Sequence, residues 1–357
     1  MNRRLVASLL GRLLLLDGAF LGVPLLASLI FREPLEPWIS TIALAALAGL
    51  ALVGAGSTAD RPIRPRDGFL VVGGAWVLVS LLGALPYVLT GALGVVDGLF
   101  ESVSGFTTTG STVIADVTVV PKSLLLWRAM SQWLGGMGII LFTIAILPLL
   151  GIGGMQLFKA EVPGPVADKI RPRLAATART LWMVYVGFTA AEWVALRLAG
   201  LSGFDALCHS FTTLATGGFS TRNTSVGEFG SPAVEWIVIV FMLVAGINFV
   251  LHFKLLTGRI REVWRDSELR YFIGVIVVSS IVLAATTHEV GSAVADTVRN
   301  AIFQTLSILT TTGYASTNFE LWAPLPLLLL LCLMVLGGMS GSTGGGIKSL
   351  RALLAIS

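Results

Sequence analysis

The sequence predicts an all-α polytopic membrane protein, and three observations carry that prediction. Of 357 residues, 55% are hydrophobic and only 12% are charged, about half the charged share of a soluble domain. Mean hydropathy is +0.87. The apolar residues gather into segments near the roughly 20 residues that a helix needs to cross about 30 Å of hydrocarbon. These predicted spans lie near 5–31, 38–56, 68–90, 122–150, 180–200, 233–256, 271–287 and 322–347.

The first span follows Asn2, Arg3 and Arg4, an arrangement shared with secretory signals. Its apolar run is too long for one and has no small-x-small cleavage site, so a retained helix is expected. Orientation follows from Lys and Arg. Arg61, Arg64 and Arg66 lie in the connection 57–67, and Lys159, Lys169, Arg171, Arg173 and Arg179 in 151–179. Arg259, Arg261, Arg265 and Arg270 lie in 257–270, and Lys348 and Arg351 follow the last span. By the positive-inside rule these connections and the N-terminus face the cytoplasm. The opposite connections hold Asp97, Asp116, Asp205, Glu228, Glu289, Asp296 and Glu320, with Lys122, Arg222 and Arg299 as exceptions. The net charge of +4 thus belongs to inner loops, and no extended basic domain supports nucleic-acid binding. Cys208 and Cys332 both fall in apolar sequence, which gives no disulfide framework or metal cluster.

The outer connections contain a repeat. Residues 97–110 read DGLFESVSGFTTTG, 205–218 read DALCHSFTTLATGG, and 300–313 read NAIFQTLSILTTTG. They align without gaps from Asp97, Asp205 and Asn300 to Gly110, Gly218 and Gly313. The sixth column is Ser102, Ser210 and Thr305; the eighth is Ser104, Thr212 and Ser307. Asp or Asn is a favoured helix N-cap, so each copy is expected to begin a helix there. About ten helical residues rise roughly 15 Å, too short to cross a bilayer. Such a half-helix ends near mid-membrane, where its C-terminal dipole favours a cation. Non-helical backbone at that depth is tolerated only where it is buried in protein or lines water. Its carbonyls can replace a cation's hydration shell, and a terminal Gly with positive φ lets them converge. The competing reading, a Ser/Thr/Gly surface for helix–helix contact, suits a single copy better than three in register.

A second glycine-rich stretch, GGMSGSTGGGIK, occupies 337–348. It is not a phosphate loop, because Ile347 separates Gly346 from Lys348 and a membrane span precedes it. Gly337, Gly338, Gly341, Gly344, Gly345 and Gly346 interrupt the helix, giving flexible backbone expected beside a water-filled cavity. A glycine-rich end to a packed helix is the alternative. Asp17 and Arg128 are charges within apolar spans and so functional candidates; Arg128 is expected to pair with Glu101, and Asp17 to face Arg12 or the helix bundle. His209, His252 and His288 are too scattered to ligate a metal. With no Gly-x-Ser-x-Gly or His-Glu-x-x-His motif, an enzyme is not expected.

Several stretches together resemble the Trk/Ktr potassium-uptake transporter family, specifically its TrkH-type membrane subunit. They are SGFTTTGST at 104–112, WRAMSQWLGGMGII at 127–140, ILPLLGIGGMQLFKAEVPGP at 146–165, ATGGFST at 215–221, TTTGYAST at 310–317 and GGMSGSTGGGIK at 337–348. The resemblance implies two N-terminal transmembrane helices and helix–pore-loop–helix repeats around a pseudo-fourfold pore. The corresponding divisions are a helix pair at 1–66 and repeats at 67–150, 178–258 and 271–357. It implies a potassium filter at Thr108, Thr109 and Gly110; Thr216, Gly217 and Gly218; and Thr311, Thr312 and Gly313. Gly at all three last positions goes with potassium in that family, whereas Ser in the first goes with sodium. A gate loop is implied at 337–346, where Ser342 and Thr343 join the six glycines, moved by a cytoplasmic nucleotide-binding regulatory subunit. A homodimer in a bacterial inner membrane is implied as well. The family's fourth repeat has no counterpart here, so this chain alone is expected not to close a selective pore. The alternative function is a non-conducting fragment or an assembly or regulatory subunit.

Overall fold

The computed structural model describes residues 3–56, 65–146, 167–288 and 293–356, and these are predominantly helical. Residues 147–165 of the family-like sequence, and the end of the predicted span 122–150, lie outside the described residues. Among the described residues, five helices are long and apolar enough to cross a membrane by length and composition, six if one sharply bent pair counts as a single span.

The described residues fall into two compact units. The first comprises Met1–Thr107, Ser111–Ser131 and Leu141–Ala175. Here α1 (Arg3–Phe20) and α2 (Gly22–Phe31) supply the first span, followed by α3 (Glu36–Ala55), α4 (Pro65–Leu89), the short α5 (Val95–Phe106) and the start of α6 (Lys122–Ile146). On α3 the small and polar Thr41, Ala45 and Gly49 are buried, while Leu47 is 68% and Leu50 61% exposed. That inversion is expected where lipid is the solvent and small residues let backbones approach. A Cβ on Gly11 would lie 2.6 Å from the Gly49 carbonyl oxygen, so any larger residue would push α1 off α3. The short α5 is seated against α4 where Ser102 donates to the Ser80 carbonyl (2.8 Å), and α6 joins α4 where Trp127 Nε1 donates to that of Gly83 (3.0 Å).

The second unit comprises Thr108–Gly110, Gln132–Ile140 and Ala176–Ser357. It holds most of α7 (Ala167–Leu198), then α8 (Gly203–Leu214), α9 (Pro232–Gly246), α10 (Phe249–Leu256), α11 (Ile260–Trp264), α12 (Ser267–Thr287), α13 (Val294–Leu309), α14 (Pro324–Val335) and α15 (Ser349–Ile356). Trp133, Tyr185 and Phe211 stack at centroid distances of 5.5 and 5.2 Å, and the Tyr185 hydroxyl donates to the Trp133 carbonyl (3.1 Å). This aromatic knot fixes the second short helix.

Two predicted spans are corrected. The stretch 233–256 is not one helix: α9 and α10 meet at 102°. Asn248 causes the break, accepting from the Val250 N–H at 2.9 Å and so starting a new helix by side-chain capping. The stretch 322–347 ends its helix at Val335, about 18 Å long, and continues as the glycine-rich loop.

Candidate functional site

Three short helices end in the same way. α5 stops at Phe106, α8 at Leu214 and α13 at Leu309, and each is followed by a left-handed Thr, a residue outside the left-handed region and a left-handed Gly. The φ values are 55° and 78° at Thr108 and Gly110, 53° and 75° at Thr216 and Gly218, and 61° and 82° at Thr311 and Gly313. A β-branched residue with positive φ costs on the order of 1–3 kcal/mol. Paying that three times over in register marks a backbone shape that the sequence preserves against its own preference.

Hydrogen bonds explain how the shape is held. Gly217 N–H donates to the Thr212 carbonyl and Thr216 N–H to that of Thr213, both at 2.9 Å. Thr312 N–H donates to the Ser307 carbonyl (2.9 Å) and Thr311 N–H to that of Ile308 (3.0 Å). This paired pattern is the Schellman helix ending, which ordinarily places Gly at the left-handed residue. In the first and third copies the eighth-column serine then clamps the chain just beyond the glycine. Ser104 donates to the Ser111 carbonyl (2.5 Å) and Ser307 to that of Tyr314 (2.6 Å).

The fifth column was not singled out in the sequence, yet it does the same work in all three copies. Glu101 accepts from the Thr112 hydroxyl (2.9 Å), His209 Nε2 meets the Ser220 hydroxyl (3.0 Å), and Gln304 Nε2 donates to that of Ser316 (3.4 Å). A polar residue at one register position of three apolar half-helices was the available signal. The expected ion pair is present: Arg128 Nε lies 2.7 Å from Glu101 Oε1, with the side chains 2% and 0% exposed. His209 is satisfied, its Nδ1 being 2.8 Å from the Asp205 carbonyl. Asp17 is buried, and its Oδ2 accepts no hydrogen bond.

The expected N-caps are corrected. α5 begins at Val95, so Asp97 sits in its first turn, and α13 begins at Val294, leaving Asn300 well inside it. α8 is capped by Ser202, whose hydroxyl accepts from the Asp205 N–H (3.0 Å). These helices begin before the Asp/Asn position, and the Asn300 side chain is engaged elsewhere, accepting from Ser316 (3.3 Å). The outer bases that broke the charge bias are engaged too. Arg222 pairs with Asp205, Arg299 with Glu235 and Asp296, and Lys122 lies over the Phe31 ring.

The three turns adjoin one another through the second unit. A Cβ on Gly110 would collide with the Gly217 carbonyl oxygen, and one on Gly218 with that of Thr312, whereas Gly313 has nothing within 4 Å. Gln132, absent from the expected site, holds the middle turn: its Nε2 donates to the Gly217 carbonyl (2.7 Å), and its Oε1 accepts from the Phe219 N–H (3.2 Å). Tyr314 ties the third turn to α8 through its hydroxyl, which meets Thr212 Oγ1 and donates to the His209 carbonyl (3.3 Å).

The glycine-rich loop contacts the same elements. Thr343 Oγ1 donates to the Leu214 carbonyl (3.0 Å), and Gly345 N–H donates to Thr311 Oγ1 (2.7 Å). Met339 N–H reaches the Gly246 carbonyl (2.9 Å), Phe249 N–H reaches that of Gly341 (3.1 Å), and Lys348 Nζ donates to that of Gly344. Met339, Ser342 and Thr343 are buried. The expectation of slack backbone is therefore corrected. Gly337 and Ile347 bond across the neck (2.9 Å), and the loop is pinned to both halves of the broken span.

The fold and these turns define a class: multi-pass α-helical membrane proteins with half-helices that end in repeated Thr-x-Gly turns. Residues 38–357 match the family TrkH, described as a cation transport protein, and the chain belongs to that family. It is 42% identical to the Trk system potassium uptake protein TrkH of Escherichia coli K12, over 99% of this chain and 75% of that protein. It is 41% identical to TrkG of the same organism, over 82% of this chain and 61% of that protein. The crystal structure of the potassium transporter TrkH from Vibrio parahaemolyticus superposes with a TM-score of 0.91 at 38% identity, covering all of this chain and 75% of that one.

Proposed function

We propose that this chain takes up potassium across a bacterial cytoplasmic membrane through a filter formed by Thr108–Gly110, Thr216–Gly218 and Thr311–Gly313. The observation that carries the reading is the threefold left-handed Thr-x-Gly backbone, with Gly110 against the Gly217 carbonyl and Gly218 against that of Thr312. Such turns present carbonyl oxygens at close quarters, the ligand type that strips and replaces the water around a cation. Because the Schellman bonds consume carbonyls at the ends of α8 and α13, the ion's ligands come from the turns. The loop 337–346, tied to Leu214 and Thr311, is the gate. The basic connections and the N-terminus face the cytoplasm, where a nucleotide-binding regulatory subunit moves the gate, and the transporter works as a homodimer. The test is uptake in proteoliposomes by the purified chain joined to the fourth pore repeat that the family resemblance implies. Potassium influx should resist competing sodium, and deletion of Ser342–Gly344 should raise flux per folded molecule. Equal competition by both ions would overturn the filter, and a deletion that leaves flux unchanged would overturn the gate.

A further inference from the structure

The tether that spans the glycine-rich loop comes from outside it. Asp266 caps α12 by accepting from the Leu269 N–H (2.9 Å). That leaves Glu268, in the first turn of the same helix, for another role. Its buried Oε1 accepts from the Ser340 N–H at 2.6 Å and from the Leu350 N–H at 3.0 Å. Ser340 lies in the descending limb of the loop, and Leu350 in the first turn of α15, just past its exit. One oxygen atom thus holds both limbs.

The other bonds of the loop either stay within it and its neck, as where Ser342 Oγ donates to the Met339 carbonyl (2.6 Å) and Ser349 Oγ to that of Gly337 (2.8 Å), or run to α8, α9, α10 and the third turn. Glu268 is the one that connects the loop to α12, and α12 follows directly on the short basic segment containing Arg259, Arg261 and Arg265. We propose that Glu268 is the positioning residue that latches the loop in the conformation seen here, so that displacing the start of α12 releases both limbs at once. This rests on reading the loop as the gate. Lys348, whose ammonium holds the Gly344 carbonyl, is the nearby charge that offers the competing explanation, a simple electrostatic pairing with Glu268.

Three substitutions separate reach from charge. Glu268→Gln keeps an acceptor oxygen at the same distance, Glu268→Asp keeps the charge but withdraws it, and Glu268→Ala removes both. Each is reconstituted without any cytoplasmic partner, and potassium flux per folded molecule is measured. A Ser340→Cys background is labelled in parallel with a water-soluble maleimide. Losing such a bond shifts a two-state equilibrium by about fivefold or more, so flux and labelling rate should rise in the order parent and Gln, then Asp, then Ala. If the Ala variant does not fold, the Gln and Asp variants still decide. Gln behaving like Ala while Asp behaves like the parent would assign the effect to charge and overturn the latch. Unchanged labelling in all three would overturn it as well. The loop deletion keeps the two ideas apart: a deletion that raises flux while Glu268→Ala does not removes the latch and leaves the gate standing.

Discussion

The Thr-x-Gly turns and the glycine-rich loop are both irregular backbone, both rich in Gly, Ser and Thr, and they touch each other, yet they are held by different means. The second and third turns are fixed chiefly by Schellman bonds from their own half-helices, and in every copy the fifth-column side chain reaches past the turn, with Gln132 adding a hold on the middle one. The turns also abut, glycine against neighbouring carbonyl, with no room for a Cβ at Gly110 or Gly218. The loop is instead fixed from without, by α9, α10, α12 and the ends of two half-helices. A structure held by its own covalent neighbours keeps its shape when surrounding helices shift; one held by several separate helices changes when any of them moves. On the proposed reading, the turns keep their shape while the loop responds.

The sharpest way to break the comparison lies between two glycines of the same motif. Gly218→Ala drives a methyl group into the Thr312 carbonyl, whereas Gly313→Ala meets nothing within 4 Å. Both suffer the left-handed penalty of about 1 kcal/mol, so the difference between them isolates the packing of turn on turn. Gly218→Ala should lower potassium uptake by well over about tenfold, while Gly313→Ala should retain it with a reduction of about tenfold or less. Equal loss in both would mean that backbone conformation alone matters.

Next in size is the buried ion pair. Arg128→Met leaves Glu101 0% exposed without its guanidinium partner, and removing one partner of such a pair costs about 3–5 kcal/mol. The thermal midpoint of the solubilised protein should fall by several degrees, and the double variant Glu101→Met/Arg128→Met should recover much of the loss. No recovery would show that Glu101 serves the first turn through Thr112 rather than through its charge balance.

Much of this arrangement was legible in the sequence. The aligned copies gave the half-helices, the turn positions and the glycines, because a three-residue backbone motif demands the same residues wherever it recurs. The Arg128–Glu101 pair was legible because few unpaired charges survive in an apolar span. What stayed hidden depended on long-range partners. Gln132 looks like any residue of α6 until it is seen bonded to Gly217, 85 positions away. Asn248 breaks its span only by capping a helix within an uninterrupted apolar run. Glu268 lies in what reads as a charged helix start. The left-handed threonines were missed because propensity argues against them.

That strain supplies the smallest predicted effect. Thr216→Gly removes a buried β-branched side chain from φ 53°, and its hydroxyl bonds only locally, to the Ala215 carbonyl (2.6 Å). Relief of about 1–3 kcal/mol offsets the greater freedom of Gly when unfolded, roughly 0.5–1 kcal/mol. The thermal midpoint should stay level or rise slightly, and a drop of several degrees would show that the threonine is packed rather than strained.

The most direct test of the filter is the ratio of potassium to sodium uptake in proteoliposomes for the parent chain joined to a fourth pore repeat and for Gly110→Ser in the same background, compared at equal amounts of folded protein. Gly110 has φ 78° and abuts the Gly217 carbonyl, so a serine there distorts the turn where two copies meet. The parent should prefer potassium, and the ratio should fall about tenfold or more in the variant while sodium still passes. A parent without preference, or a variant that transports with an unchanged ratio, would contradict the assignment of these turns as the filter.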